Sequence, residues 1–207
     1  GKDSLSLLRE LPKLRLVGVD SSSGMNRVFR RRASGLNVEG DRYRLLTADI
    51  LDPALKEKIV ETARDAFAEE RFRVVISSLT IHHFTRRQKA AAFRLVHSLL
   101  EPGGGFLLGD LFSYKGESDR LHDTVFDWEL RWMADNFDRE IENAGKRRDA
   151  GAQADYGRLR QKWLMHYQSD NVLDSVSAHL RMLKMAGFRQ VGNPFRYWLM
   201  GLIFARK

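Results

Sequence analysis

The stretch LRLVGVD, Leu14 to Asp20, is a short and nearly continuous apolar run that stops at a carboxylate. A run of this kind reads as a strand buried on both faces of a parallel sheet. The polar turn Ser21-Ser22-Ser23-Gly24 follows at once. The same pattern recurs three times. RYRLLTAD ends at Asp49, FRVVISS at Ser78 and GFLLGD at Asp110, giving separations of 29, 29 and 32 residues. About 30 residues is the length of one strand-helix-strand unit. The repeat predicts an α/β protein whose strands carry polar residues at their carboxyl ends, on the rim where open α/β sheets bind ligands.

Composition limits the alternatives. With 207 residues and 43% hydrophobic content, the chain suits one domain with a true core and an insertion. No run approaches the roughly 20 apolar residues of a membrane helix. Cysteine is absent, which excludes disulfides and thiolate chemistry and fits a cytoplasmic protein. The net charge of +8 gathers at Arg30-Arg31-Arg32, at Arg86-Arg87 with Lys89, and at Lys146-Arg147-Arg148. Such clusters are more often solvated helix faces than nucleic-acid footprints, so nucleic acid is the less favoured partner.

The intervening segments read as helices. Leu5, Leu8 and Leu11 mark one that stops at Pro12. Met25, Val28 and Phe29 point a second one inward. Asp52-Pro53 starts a third, with Asp as cap and Pro at the first helical position. Thr85 and Gln88 have capping-box spacing ahead of the stripe Phe93, Val96 and Leu100, and Pro102-Gly103-Gly104 ends that helix. After Asp110 the strand period breaks for about 60 residues, which is long for a plain connection. Leu121, Val125, Trp128 and Trp132 share one helical face, and Trp163 and Tyr167 lie in a second piece beyond a joint near Gly145–Gly157. Asp170 or Asn171 caps a last helix, with Val172, Val176, Leu180 and Leu183 inward. Two strands joined around Gly192-Asn193-Pro194 close the chain as an antiparallel pair. The expected architecture is a doubly wound, mostly parallel sheet with a C-terminal antiparallel hairpin. It spans residues 1–113 and 171–207, with 114–170 as a helical lid.

The order of VGVDSSSGM, TADILD, VVISSLTIHHF, LEPGGGFLLGD and AGFRQV with its terminal hairpin resembles the class I S-adenosylmethionine-dependent methyltransferases, Rossmann-like proteins, over nearly the whole chain. The resemblance implies S-adenosylmethionine as cofactor, with S-adenosylhomocysteine as product. It points to Asp20 for the ribose hydroxyls, Ser21 and Met25 beside the adenine, and Asp49 for the adenine amino group with Ile50 packed on the ring. Ser77, Ser78 and Leu79 would run beside the methionine portion. Gly1 looks like the last glycine of the family's glycine-rich loop. The family's first strand would precede it, so the natural protein is expected to continue upstream, and strands 14–20 and 73–78 are expected not to pair directly.

His82 and His83 lie just past the fourth strand of the resembled fold and Asp110 ends the fifth, so these three are the candidate catalytic residues. Histidine is the natural base near neutral pH. One histidine could equally pack under the next helix, and Asp110 could cap a helix or face water. A metal site on the histidine pair lacks an evident third ligand. The strand end SSLT is not the motif of enzymes that methylate exocyclic amines of bases, and without cysteine the covalent cytosine route is closed. Methyl transfer to a small-molecule oxygen, nitrogen or carbon is the leading expectation. A non-catalytic or partner-dependent methyltransferase-like subunit that binds protein or RNA is the alternative.

Overall fold

The computed structural model describes residues 2–169 and 171–207, with the side chains of 2 and 166–169 left out. Two sheets form. β1 (Leu16–Asp20) pairs in parallel with β2 (Tyr43–Thr47), from Leu16↔Tyr43 to Asp20↔Thr47. The second sheet has the order β3 (Phe72–Ser78), β4 (Leu100–Leu111), β6 (Met200–Arg206), β5 (Gln190–Tyr197). Strands 14–20 and 73–78 therefore lie in different sheets, as the sequence leads one to expect. The helices are α1 (Lys2–Glu10), α2 (Ser23–Gly35), α3 (Leu55–Phe67), α4 (Arg86–Leu99), α5 (Asp119–Lys146), α6 (Ala150–Ser169) and α7 (Val176–Met185).

The chain folds as two compact units. The first comprises the chain up to Val75 together with Ala91–Gly104 and Lys207; the second comprises Ile76–Ala90 and Gly105–Arg206. In the first unit, alternate residues of β1 and β2 serve two cores. Leu16, Tyr43 and Leu45 pack with Leu5, Leu8, Phe29, Ala33 and Val38, while Val17, Val19 and Leu46 pack with Leu55, Ile59 and Leu99. Burial on both faces is why the run is nearly all apolar. The last carbonyls of α1, which have no partner inside the helix, are gathered by Arg42. Its guanidinium donates to Leu8 O at 2.6 Å and Leu11 O at 2.7 Å. Leu11 itself is exposed rather than inward.

In the second unit, β4 and β6 run antiparallel with Phe106↔Ala205, Leu108↔Ile203 and Asp110↔Gly201, all six on the buried face. Gly201 lets the strands and Phe112 pack closely there. A Cβ at that position would lie 3.0 Å from the Phe112 ring and 3.3 Å from Phe195 O.

Several local expectations change. Met25 is exposed rather than inward; α2 begins after the N-cap Ser22 and buries Asn26, Phe29 and Ala33, which recur at helical spacing. Asp52 does not cap α3 directly. Its carboxylate accepts from Ala54 N in the turn before Leu55. Pro102-Gly103-Gly104 lies inside β4 instead of ending the helix. Gly192-Asn193-Pro194 is not the hairpin turn but an irregularity within β5. There Asn193 Nδ2 donates to Leu202 O at 2.7 Å, in a stretch where Pro194 has no N–H to give. The true turn is Trp198-Leu199, with Trp198 at φ +53°. The joint of the helical insertion is residues 147–149, where Arg148 takes φ +57° and Asp149 accepts from Ala152 N to start α6, while Gly151 and Gly157 sit inside that helix. Helix α7 begins after the N-cap Ser175, so Val172 and Asn171 precede it; Asp170 lies outside the described residues.

Candidate active site

The expected cofactor contacts fall into two groups, one in each unit. In the first, Asp20 ends β1 half-buried, and its Oδ1 accepts from Ser22 N at 2.8 Å. Ser22 Oγ in turn accepts from Met25 N, capping α2. Ser21 is exposed in this turn. Asp49 is exposed and its Oδ1 accepts from Leu51 N at 2.9 Å. Both carboxylates are thus aimed by the turn that follows their strand. Ile50 is half-buried against Leu55 and Ile59, so part of its apolar surface is already used by the core. Gly1 lies outside the described residues.

The second group follows β3. Ser77 is half-buried, Ser78 is exposed, and Leu79 takes φ +51° with its N–H on Gly109 O at 2.9 Å. A leucine in the left-handed region is strained, and such strain concentrates at functional sites. The chain then makes a 3-10 turn, Ile81–His83.

This turn delivers His82 to Asp110. The Asp110 carboxylate is fully buried and collects four donors. Its Oδ2 accepts from Ile81 N at 2.8 Å and His82 N at 3.1 Å, and its Oδ1 accepts from Leu111 N at 2.9 Å and shares a short hydrogen bond with His82 Nδ1. Four donors converging on two oxygens fit an ionised carboxylate, which can only accept. The hydrogen of the His82–Asp110 bond is then carried by Nδ1, which in the neutral imidazole leaves the lone pair on Nε2. His83 is exposed, its ring 3.9 Å from that of His82. Of the three candidate catalytic residues, two form a buried Asp–His pair, and the third lies outside it with its ring tilted 51° to that of His82. Asp110 is neither a helix cap nor a surface carboxylate.

The unit that holds the pair is rich in buried polar groups. Among the described residues ten polar or charged side chains are buried, and nine belong to the second unit: His82, Lys89, Asp110, Ser113, His122, Glu129, Asp174, Ser175 and His179. Lys89, fully buried on α4, donates to Asp174 Oδ2 at 2.9 Å and to Val172 O. Arg86 Nε reaches the other oxygen of Asp174 at 2.5 Å. Burial lowers the pKa of Lys89 even though Asp174 and Asp110 pull the other way. Burial would raise the Asp174 carboxyl, but the hydrogen bonds and charges of Arg86 and Lys89 outweigh it and hold Asp174 below the usual carboxylate range. The two directions look opposed; the donor geometry, one ammonium shared by a carboxylate and a carbonyl, is that of an ion pair. On α5, His122 Nδ1 lies 3.3 Å from Ser113 Oγ, and on α7, His179 Nδ1 lies 3.0 Å from Ser175 O. Burial pushes both imidazoles down, helped at His122 by Lys115 and at His179 by Lys89.

Lys89, Asp174, Ser113, His122 and His179 escape a reading by motif. A signal for three of them exists. Lys89 precedes Phe93 by four residues on the stripe Phe93, Val96, Leu100. His122 stands three before Val125, and His179 four before Leu183. Helical periodicity alone points these polar residues inward.

Residues 1–104 of the 207 match the family model described as Methyltransferase domain, and the chain belongs to that family. The fold and the family define a class I, Rossmann-like methyltransferase, the class that uses S-adenosylmethionine as cofactor. The whole chain is 22% identical over 211 residues to the carboxy-S-adenosyl-L-methionine synthase of Histophilus somni, covering 73% of that protein. Among solved structures it is similar to the S-adenosylmethionine-dependent methyltransferase SibL (TM-score 0.60, 16% identity, 99% of this chain and 47% of that one). It is also similar to an O-methyltransferase family 2 protein of Planctomyces limnophilus in complex with apigenin (TM-score 0.59, 15% identity, 99% and 46%). The chain spans about half the length of these solved structures. Among the described residues no helix is long and apolar enough to cross a membrane.

Proposed function

We propose that this protein transfers the methyl group of S-adenosylmethionine to a small-molecule acceptor, with His82 as the base. The buried His82–Asp110 pair carries the reading. Methyl transfer from a sulfonium is an in-line displacement in which the cofactor supplies the reactivity. The acceptor's lone pair attacks the methyl carbon, the carbon–sulfur bond breaks, and S-adenosylhomocysteine leaves. The protein aligns the reactants and removes the proton of a protonated acceptor. His82 Nε2 would take that proton, and the Asp110 carboxylate would stabilise the imidazolium through Nδ1. Asp20 and Asp49 would hold the ribose and the adenine amino group, with Ser21, Met25 and Ile50 beside the purine and Ser77, Ser78 and Leu79 beside the methionine portion. The insertion, residues 114–170, would act as the lid over the acceptor. The small-molecule acceptor is supported by the apigenin complex of the Planctomyces limnophilus protein. The test is S-adenosylhomocysteine release, followed by mass spectrometry over a panel of small phenols, carboxylic acids and amines. His82→Ala should slow transfer by about 10²–10⁴-fold, the worth of a positioned base, while S-adenosylhomocysteine still binds. Unchanged turnover would remove His82 from the chemistry.

A second reading has one observation in its favour. A curated relative that matches over the whole chain is a carboxy-S-adenosyl-L-methionine synthase. On this reading the cofactor's methyl group is not passed on: its carbon gives up a proton and bonds to the carboxyl carbon released from a carboxylic-acid co-substrate, which takes up the proton in its place. The same mass spectra decide: a species heavier than S-adenosylmethionine by a carboxyl substituent supports the synthase, and S-adenosylhomocysteine with methylated acceptor supports transfer.

A further inference from the structure

The short segment 172–175 joins the insertion to α7, and it is gripped along its whole length. Val172 N–H donates to His82 O at 2.7 Å, and Val172 O accepts from Lys89 Nζ. The Asp174 side chain binds Lys89 and Arg86. Asp174 O accepts from Ser113 N at 2.9 Å, and Ser113 and Ser175 form a parallel bridge. His82 is thereby held from two sides. Asp110 fixes its N–H and its imidazole, and Val172 fixes its carbonyl. Lys89 touches neither His82 nor Asp110 by hydrogen bond, yet it anchors the residue that closes the second grip.

We propose that Lys89 is a positioning residue for His82, acting through Val172, with Asp174 as its counter-charge. A lysine held without solvent contact is costly unless paired and bonded. Here the Nζ hydrogen bonds to Val172 O and Asp174 Oδ2 both go to the segment that braces His82. The arrangement also ties the base to the end of the insertion, because 172–175 is where α6 hands the chain to α7. The inference rests on the reading of His82 as the base, but its test does not.

The test uses the full chain, labelled with nitrogen-15, in two forms: unsubstituted and Lys89→Met. Methionine keeps much of the side chain's volume and removes both donors. Three quantities are read: the His82 Nδ1–H resonance, the amide exchange rate of Val172, and the unfolding midpoint. In Lys89→Met the downfield Nδ1–H signal of His82 should weaken or move, and Val172 should exchange about tenfold faster or more, as fits loss of a charge-assisted bond. A lower midpoint with unchanged His82 and Val172 signals would make Lys89 a structural residue only and overturn the proposal. If Lys89→Met does not fold, Asp174→Asn is read in the same way, since it removes the counter-charge at nearly constant volume. Unchanged His82 and Val172 signals there overturn the proposal as well. If the signals shift but His82→Ala retains full turnover, the positioning stands and the base assignment falls.

Discussion

At the scale of the residue, Asp110 shows how one carboxylate can organise a turn. It ends the alternation of half-buried and buried residues along β4 and satisfies three backbone N–H groups and one imidazole. Asp110→Asn keeps the shape but offers a single acceptor oxygen. At least one buried donor then loses its partner, and each such loss costs about 1–3 kcal/mol. We expect a fall in unfolding free energy of that order, read from denaturant midpoints at constant m-value, together with loss of turnover. A variant as stable as the parent would mean that water replaces the lost acceptor. In the first unit, Asp20→Ala should weaken S-adenosylhomocysteine binding by about 1.5–3 kcal/mol, the value of hydrogen bonds to a charged group. Calorimetry that returns the parent's dissociation constant for folded Asp20→Ala would place the ribose elsewhere. Both aspartates stand out in the sequence as carboxylates that stop apolar runs, but a strand end that merely meets water looks the same, so the run alone does not show that Asp110 turns inward. The partner of Asp110 is only half legible. Adjacent histidines at the rim announce themselves, but which of them turns inward depends on the 3-10 turn 81–83, and no motif encodes it.

At the scale of the element, the insertion separates what periodicity shows from what it hides. Leu121, Val125, Trp128 and Trp132 follow helical spacing, yet only Val125 is buried; Trp128 and Trp132 are 53% and 56% exposed. The inward face of α5 is instead Val125 with Phe126, Leu130 and Met133, which pack with Leu111, Leu199 and Trp198. Both stripes are apolar, so the sequence offers two candidate faces and packing chooses. β1 and β2 did not present this choice, because cores on both sides leave no polar face to misread; β3, read from the sequence as buried in the same way, instead leaves Val74 and Ile76 51% and 43% exposed. The difference can be measured. Val125→Ala should lower stability by about 2 kcal/mol, combining lost transfer energy with a cavity. Trp128→Ala should stay within about 0.5 kcal/mol of the parent, as surface changes do. If α5 and α6 form the lid over the acceptor, Trp128→Ala should also raise the acceptor's KM more than that of the cofactor. An unfolded Trp128→Ala would make this tryptophan a core residue, and an unchanged KM would remove it from the lid.

At the scale of the whole molecule, the crowding of titratable groups into the second unit should govern how stability responds to pH. His122 and His179 are buried, and burial holds both below the ordinary imidazole value. Lys89 acts in the same direction on His179, while the Ser175 carbonyl, Asp174 and Asp110 oppose it; Lys115 and Arg196 depress His122, with Asp123 and Asp119 opposing. A depressed folded pKa means that the unfolded chain takes up protons first. The unfolded state binds protons below about pH 6.5, the unperturbed histidine value, while the folded imidazoles remain neutral. Stability should therefore fall with decreasing pH from about 6.5 until the folded imidazoles are themselves protonated. Asp174 acts lower on the scale. Its folded pKa is also depressed, so its contribution is complete above the unperturbed aspartate value of about 3.9 and is lost as pH falls from there through the depressed range. Two steps are thus expected on acidification, one from histidine and one from the Asp174 cluster. Unfolding free energies from urea titrations between pH 8 and pH 3 would resolve them, compared with a His122→Gln/His179→Gln double variant. The double variant should lose the upper step and keep the lower one. If its profile above pH 5 parallels that of the parent, the buried imidazoles are not what acid attacks first, and the weakness lies with exposed groups instead.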